Sequence, residues 1–273
     1  MNKRQRIKRA KENPMPESVQ ELTTDNYRIL KRCAMLSLGT GIFGNMFYDV
    51  VGISDTIRNV LEGIGYISVP LYSFLEVKAF HHTESKRKHL LKIFLTSLAS
   101  EIPFNMMRTG NPFSFKIQNM GLSAMISFIC LWIADRDFKK PFRNMLREKS
   151  LNLLSFSTKG MIAGIGAMAC WYLKAEYGLH AVPMLMIMEG AEHCSHKKII
   201  QAFSLSAWCG MMILSENFTA LTAVLALIPI YFFQNRKSLF HVKESKFTKK
   251  LERDFYPLCL WNMTITKIII LMI

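Results

Sequence analysis

Apolar residues in this chain gather into long runs, and short clusters of charge separate them. A water-soluble domain of this length spreads its apolar positions at helix or strand periods instead. The runs are Cys33–Val51, Val60–Phe80, Leu90–Met107, Ile117–Ala134, Leu153–Leu173, Leu179–Ala191, Ile199–Leu214, Phe218–Phe233 and Phe255–Ile273. Their lengths approach the roughly 17–25 helical residues that cross a bilayer core, so the pattern predicts an all-α polytopic bundle of about nine transmembrane helices. Leu179–Ala191 is short for a span, and a re-entrant segment is the alternative there.

Charge orders these runs. An N-terminus in the cytoplasm puts 27 of the 35 Lys and Arg in the tail and alternate inner loops. Only Arg58, Arg108, Lys116 and Lys174 fall in outer loops. This is the positive-inside asymmetry of membrane proteins. It also favours a crossing at Leu179–Ala191, because without one Lys197 and Lys198 fall outside and every later loop inverts. Lys78, Lys92, Lys159 and Lys267 lie within runs, the first two near inner ends that their long stems can reach.

Composition then changes little. Half the residues are hydrophobic, and mean hydropathy is +0.16 although a fifth of the chain is charged. The net charge of +15 is accounted for by topology and a bilayer with anionic lipid, so no nucleic-acid partner is required. Residues 1–27 read as a basic cytoplasmic tail and 28–273 as one membrane domain. No apolar core precedes Cys33, so the start does not follow the pattern of a secretory signal peptide. Residues 234–254 are polar and charged, with an interfacial helix as one reading.

Few motifs carry chemistry. Gly39-Thr40-Gly41-Ile42-Phe43-Gly44 fits a dinucleotide-binding glycine pattern, but that chemistry needs a strand before it. Inside an apolar run, small residues serve close helix approach, and Gly160 and Gly164 read the same way. Glu189, Glu192, His193, Cys194 and His196 include metal-ligand types without a standard zinc spacing, so no metal site is assigned. The six cysteines are scattered and suggest no disulfide framework. Ionisable groups at membrane depth are costly unless paired or functional. By that test Glu101, in Ser100-Glu101-Ile102-Pro103-Phe104, is a candidate site residue or a paired structural one, and Pro103 interrupts helical hydrogen bonding beside it. Glu76, Lys78 and Lys159 read as paired or snorkelling, and His81, His82 and His89 follow in a basic cluster.

Several of these residues together resemble the TraX family. They are Ile67-Ser68-Val69-Pro70-Leu71-Tyr72-Ser73-Phe74, His82-Thr83 with its basic cluster, Ser100-Glu101-Ile102-Pro103-Phe104 and Asp135. Tyr177-Gly178, Pro229 and Phe255-Tyr256-Pro257-Leu258 continue the series, so the resemblance covers roughly residues 28–270 in order. The family acetylates the N-terminus of conjugative pilin with acetyl-CoA as donor, and belongs to a wider set of integral-membrane acyltransferases. The resemblance implies a bacterial cytoplasmic (inner) membrane and a small membrane or secreted peptide as acceptor. It places substrate-binding positions at Lys31, Tyr66, Pro70, Tyr177 and Tyr256.

This chain departs from the family at its polar positions. Gly41-Ile42 stands where an Asp-His pair belongs, Tyr66 replaces an arginine, Lys78-Ala79 replaces Glu-Gly, and Cys259 replaces a late histidine. Glycine and isoleucine accept no proton. Three residues then remain as catalytic candidates: His82 as a base, Glu101, and Cys259 as a thiolate nucleophile. The alternative is a non-catalytic descendant that binds a peptide partner or assists its maturation or export. A transporter is a weaker third reading, because paired broken helices and a charged midplane path are not evident.

Overall fold

A computed structural model of the chain describes residues 24–136, 148–192, 196–214, 218–234 and 245–272. These are helical, and no strand forms among them. The helices are α1 (Thr24–Val51), α2 (Asp55–Tyr66), α3 (Ser68–His82), α4 (Lys86–Thr109), α5 (Met120–Ala134), α6 (Glu148–Tyr172), α7 (Gly178–Glu192) and α8 (Lys197–Leu214). A 3-10 helix, Phe218–Ala226, runs directly into α9 (Leu227–Gln234), and α10 (Lys246–Met272) follows. Most of the tail 1–27, the basic cluster 139–147, His193 with Cys194, and residues 235–244 lie outside the described residues.

Each apolar run becomes helix, with instructive differences. The run Val60–Phe80 is two helices that meet at Ile67, whose N–H bonds back to the Ile64 carbonyl. Pro70, which has no N–H to offer the preceding turn, falls in the first turn of the new helix, where that loss is tolerated best. Pro103 does not break α4, which continues to Thr109 and ends on Gly110 in the left-handed region (φ 74°). The polar segment before the last run joins it from Lys246 onward, so α10 is one long helix.

The bundle has two ends, and its charges sort between them. One end holds Arg32–Glu252 (2.8 Å), Lys78–Glu192 (2.7 Å), His81–Glu189 (2.8 Å), Lys86–Asp135 (2.5 Å) and His89–Glu76 (2.8 Å). The other holds Arg108–Glu176 (2.6 Å) and Tyr48–Asp55 (2.5 Å), with Lys267 donating to the Met107 carbonyl. The cationic members Arg32 and Lys86 of the first set fall in segments the charge count puts inside, and Arg108 of the second falls in one it puts outside. Helix α7 connects the ends, because Glu176 precedes it and Glu189 and Glu192 close it. At 1.5 Å per residue its 15 residues cover about 22 Å.

The outer helix faces are largely apolar, and polar groups join the apolar core inside. Along α6, Phe156, Met161, Ile165, Met168, Trp171 and Tyr172 are each 65–80% exposed. Leu91, Leu95 and Leu98 of α4 and Trp261, Ile265 and Ile269 of α10 form similar outward faces at helical spacing. Lys78, Ser97, Asn105, Asn119, Glu189 and Gln201 are among the buried polar groups. Exposed apolar faces of this extent are uncommon on water-soluble monomers. By length and hydropathy together, two described stretches suffice to cross a membrane, Asp55–His82 and Lys250–Met272, with Met120–Ala134 and Phe218–Phe233 as shorter apolar helices.

Candidate functional site

A cavity of about 360 Å³ lies among α1, α3, α4, α5, α7 and α10. Its lining at the cation-rich end includes Lys31, Glu76, His89, Lys92, Glu252 and Arg253, and the exposure of Lys92 and Arg253 puts the mouth there. From there it runs inward past Ser73, Ser97 and Ser127 to Tyr177 and Tyr256. A second chamber of about 20 Å³ adjoins it on the far side, sharing Leu38, Met120, Glu176, Tyr177 and Tyr256. The ion pair Arg108–Glu176 closes that side. Burial pushes the Glu176 carboxyl above its ordinary range, with the Arg108 guanidinium pulling against it. Burial, then the Glu176 carboxylate, raises the Tyr177 phenol as well.

The mouth holds a histidine oriented for proton transfer. The short turn after α3 folds α4 back, with Ser85 accepting from the Lys88 N–H to cap it. This brings His89 over Glu76, whose Oε1 lies 2.8 Å from Nε2. A carboxylate can only accept, so Nε2 carries the proton and Nδ1 is left able to take one. The ring also leans on Phe128, centroid to centroid 5.0 Å. Lys92 stands one turn further along α4 on the same face, a cation without an ion-pair partner among the described residues.

The residues singled out from sequence separate into two groups. Lys31, Tyr177 and Tyr256 line the cavity, and Tyr66 packs edge-on against Tyr177 with centroids 5.7 Å apart. Pro70 is buried beside the cavity residue Val69 without lining the space itself. The three catalytic candidates stand apart from it. His82 is exposed at the end of α3. Glu101 accepts from Asn105 at 3.1 Å and from Asn119, which fixes α4 against the start of α5. Cys259 is half-buried, its thiol 3.9 Å from Met263 Sδ. The pair His89–Glu76 went unselected, because its members are 13 residues apart and only the turn joins them.

Gly41 has a structural task. A Cβ there would stand 2.7 Å from Gly65 Cα, and one on Gly65 equally close to Gly41 Cα. Helices α1 and α2 therefore cross backbone to backbone, sealed by Ser37 donating to the Ile64 carbonyl at 2.5 Å. Gly41 and Ile42 face the small chamber, whose lining includes no His, Asp or Cys. The five described cysteines are free thiols, and the described residues hold no group of three or more metal-ligand side chains. Compared with known proteins, the chain gives no significant match to any family model, curated protein or solved structure.

Proposed function

We propose that this chain is a polytopic membrane protein of about nine spans, with its N-terminus in the bacterial cytoplasm, and that it transfers an acyl group to an amine. The apolar exterior and the sorting of charge to two ends support the membrane reading. The cation-rich end is then cytoplasmic, and the cavity opens there. The resemblance to the TraX family supplies the class of reaction: a coenzyme A thioester as donor and the N-terminus of a small membrane or secreted peptide as acceptor.

His89, held by Glu76 at the mouth of that cavity, is the observation that carries the enzymatic reading. The surroundings suit the donor, since Lys92, without an ion-pair partner among the described residues, offers a positive charge for a phosphate beside a largely apolar space. The donor supplies a thioester carbonyl carbon. His89 Nδ1 takes the proton of the acceptor amine as its nitrogen bonds to that carbon. The C–S bond breaks, and the departing thiolate leaves with the proton. Glu76 holds the ring in the required tautomer and steadies the imidazolium that forms.

The test is transfer from labelled acetyl-CoA and longer acyl-CoA esters by the protein in liposomes, with pooled membrane and secreted peptides as acceptors. Transfer is expected, reduced about 10²–10⁴-fold in His89→Ala and retained in His82→Ala and Cys259→Ala. No transfer by the native protein from any ester would overturn the enzymatic reading. The Gly41–Gly65 crossing favours one second reading, because a close helix contact occupies the position where the resemblance expects the Asp-His pair. On that reading the chain binds the peptide partner and catalyses nothing.

A further inference from the structure

We infer that the cavity is shaped for an acyl chain considerably longer than acetyl, bound with its phosphate-bearing head at the cytoplasmic mouth. This rests on the reading of His89 as the base. The dyad lies at the entrance, on the same turn of α4 as Lys92 and level with Lys31 and Glu252. A thioester within reach of His89 Nδ1 therefore has its carrier outside and its acyl group pointing in.

What lies inward is deep. Ser97 is eight residues beyond His89 on α4, and Ser68 eight residues before Glu76 on α3, about 12 Å at the helical rise. An acetyl group would leave nearly all of that space without contacts. The wall is also less polar than its serines suggest. Ser68 donates to the Gly65 carbonyl, Ser73 to Val69, Ser123 to Glu176, and Ser97 to the side chain of Asn119. Those hydroxyls are turned into the protein, so the surface left is the methyl and methylene groups of Leu38, Val69, Ile93, Ala124, Ala181 and Leu185. Thr96 and Ser127 are the exceptions: both line the cavity, and the Ser127 hydroxyl, in a residue 4% exposed, has no partner among the described residues. Tyr177 and Tyr256 close the far end and set the length.

Two sources offer an acyl chain on a phosphate-bearing head: an acyl-CoA ester and a phospholipid. Binding of acetyl-CoA, octanoyl-CoA and octanoyl-lysophosphatidate to the native protein in nanodiscs, read as Kd, separates them. We expect octanoyl-CoA to bind at least tenfold more tightly than acetyl-CoA, and Ala124→Leu and Ala181→Leu to narrow that ratio while leaving acetyl-CoA affinity in place. Equal affinity for the two esters would overturn the long-chain inference and leave the acyl-transfer reading standing. Binding of the lysophosphatidate with neither ester would support the long chain, make lipid its source, and overturn the thioester reading. The comparison of ligands on the native protein stands whether or not a variant folds.

Discussion

At Gly41 a single hydrogen in place of a side chain decides how closely two helices approach. A Cβ would meet Gly65 Cα at 2.7 Å, and backbone has no rotamer with which to yield. Overpacking of this kind costs about 1–3 kcal/mol. Gly41→Ala is therefore expected to lower the unfolding midpoint in detergent, and Gly41→Asp to lower it further by adding a buried charge. Gly160→Ala serves as the control, since nothing lies within 4 Å of a Cβ there. A midpoint unchanged in Gly41→Ala would show that the close crossing does not require glycine at this position.

Among the elements, α7 links the two ends most directly. Its inner end is fixed by Lys78–Glu192, with side chains 7% and 6% exposed, and its outer end follows the Arg108–Glu176 pair. Removing one partner of a buried pair strands the other charge, at about 3–5 kcal/mol. Lys78→Met should destabilise the protein by that order in denaturant titration, and Lys78→Met with Glu192→Met should recover most of the loss. A double variant no better than the single one would show that the pair is not what holds the inner end. The segment before α10 repays the same attention to length. As uniform α-helix its 17 residues would fall short of a bilayer core. Nine in the 3-10 form, at a rise of about 2.0 Å, bring the whole to about 30 Å.

At the scale of the whole molecule, hydropathy along the chain carried the all-helical character. Runs and loops survive because burial and the placement of Lys and Arg are properties of composition along the chain. The break at Ile67 was legible in Pro70, two residues inside a new helix. The 3-10 geometry was not, since Phe218–Ala226 has an ordinary apolar composition. Site residues fared unevenly for a physical reason. Lys31 and Tyr256 sit on helix faces that line the cavity and Tyr177 in the turn before α7, whereas the dyad depends on the turn that joins α3 to α4. Among three neighbouring histidines, spacing alone cannot select the one that a distant glutamate will orient.

The account depends on a cavity that opens on the positively charged side of a membrane-spanning bundle. Cysteine accessibility in sealed vesicles of known orientation tests this most directly. The chain would have its native cysteines replaced by alanine and carry either Ser127→Cys or Lys174→Cys. With a membrane-impermeant maleimide, Ser127→Cys should label from the cytoplasmic face alone, and Lys174→Cys from the opposite face alone. Labelling of Ser127→Cys from the outer face, or of Lys174→Cys from the cytoplasm, would contradict both the topology and the site built on it.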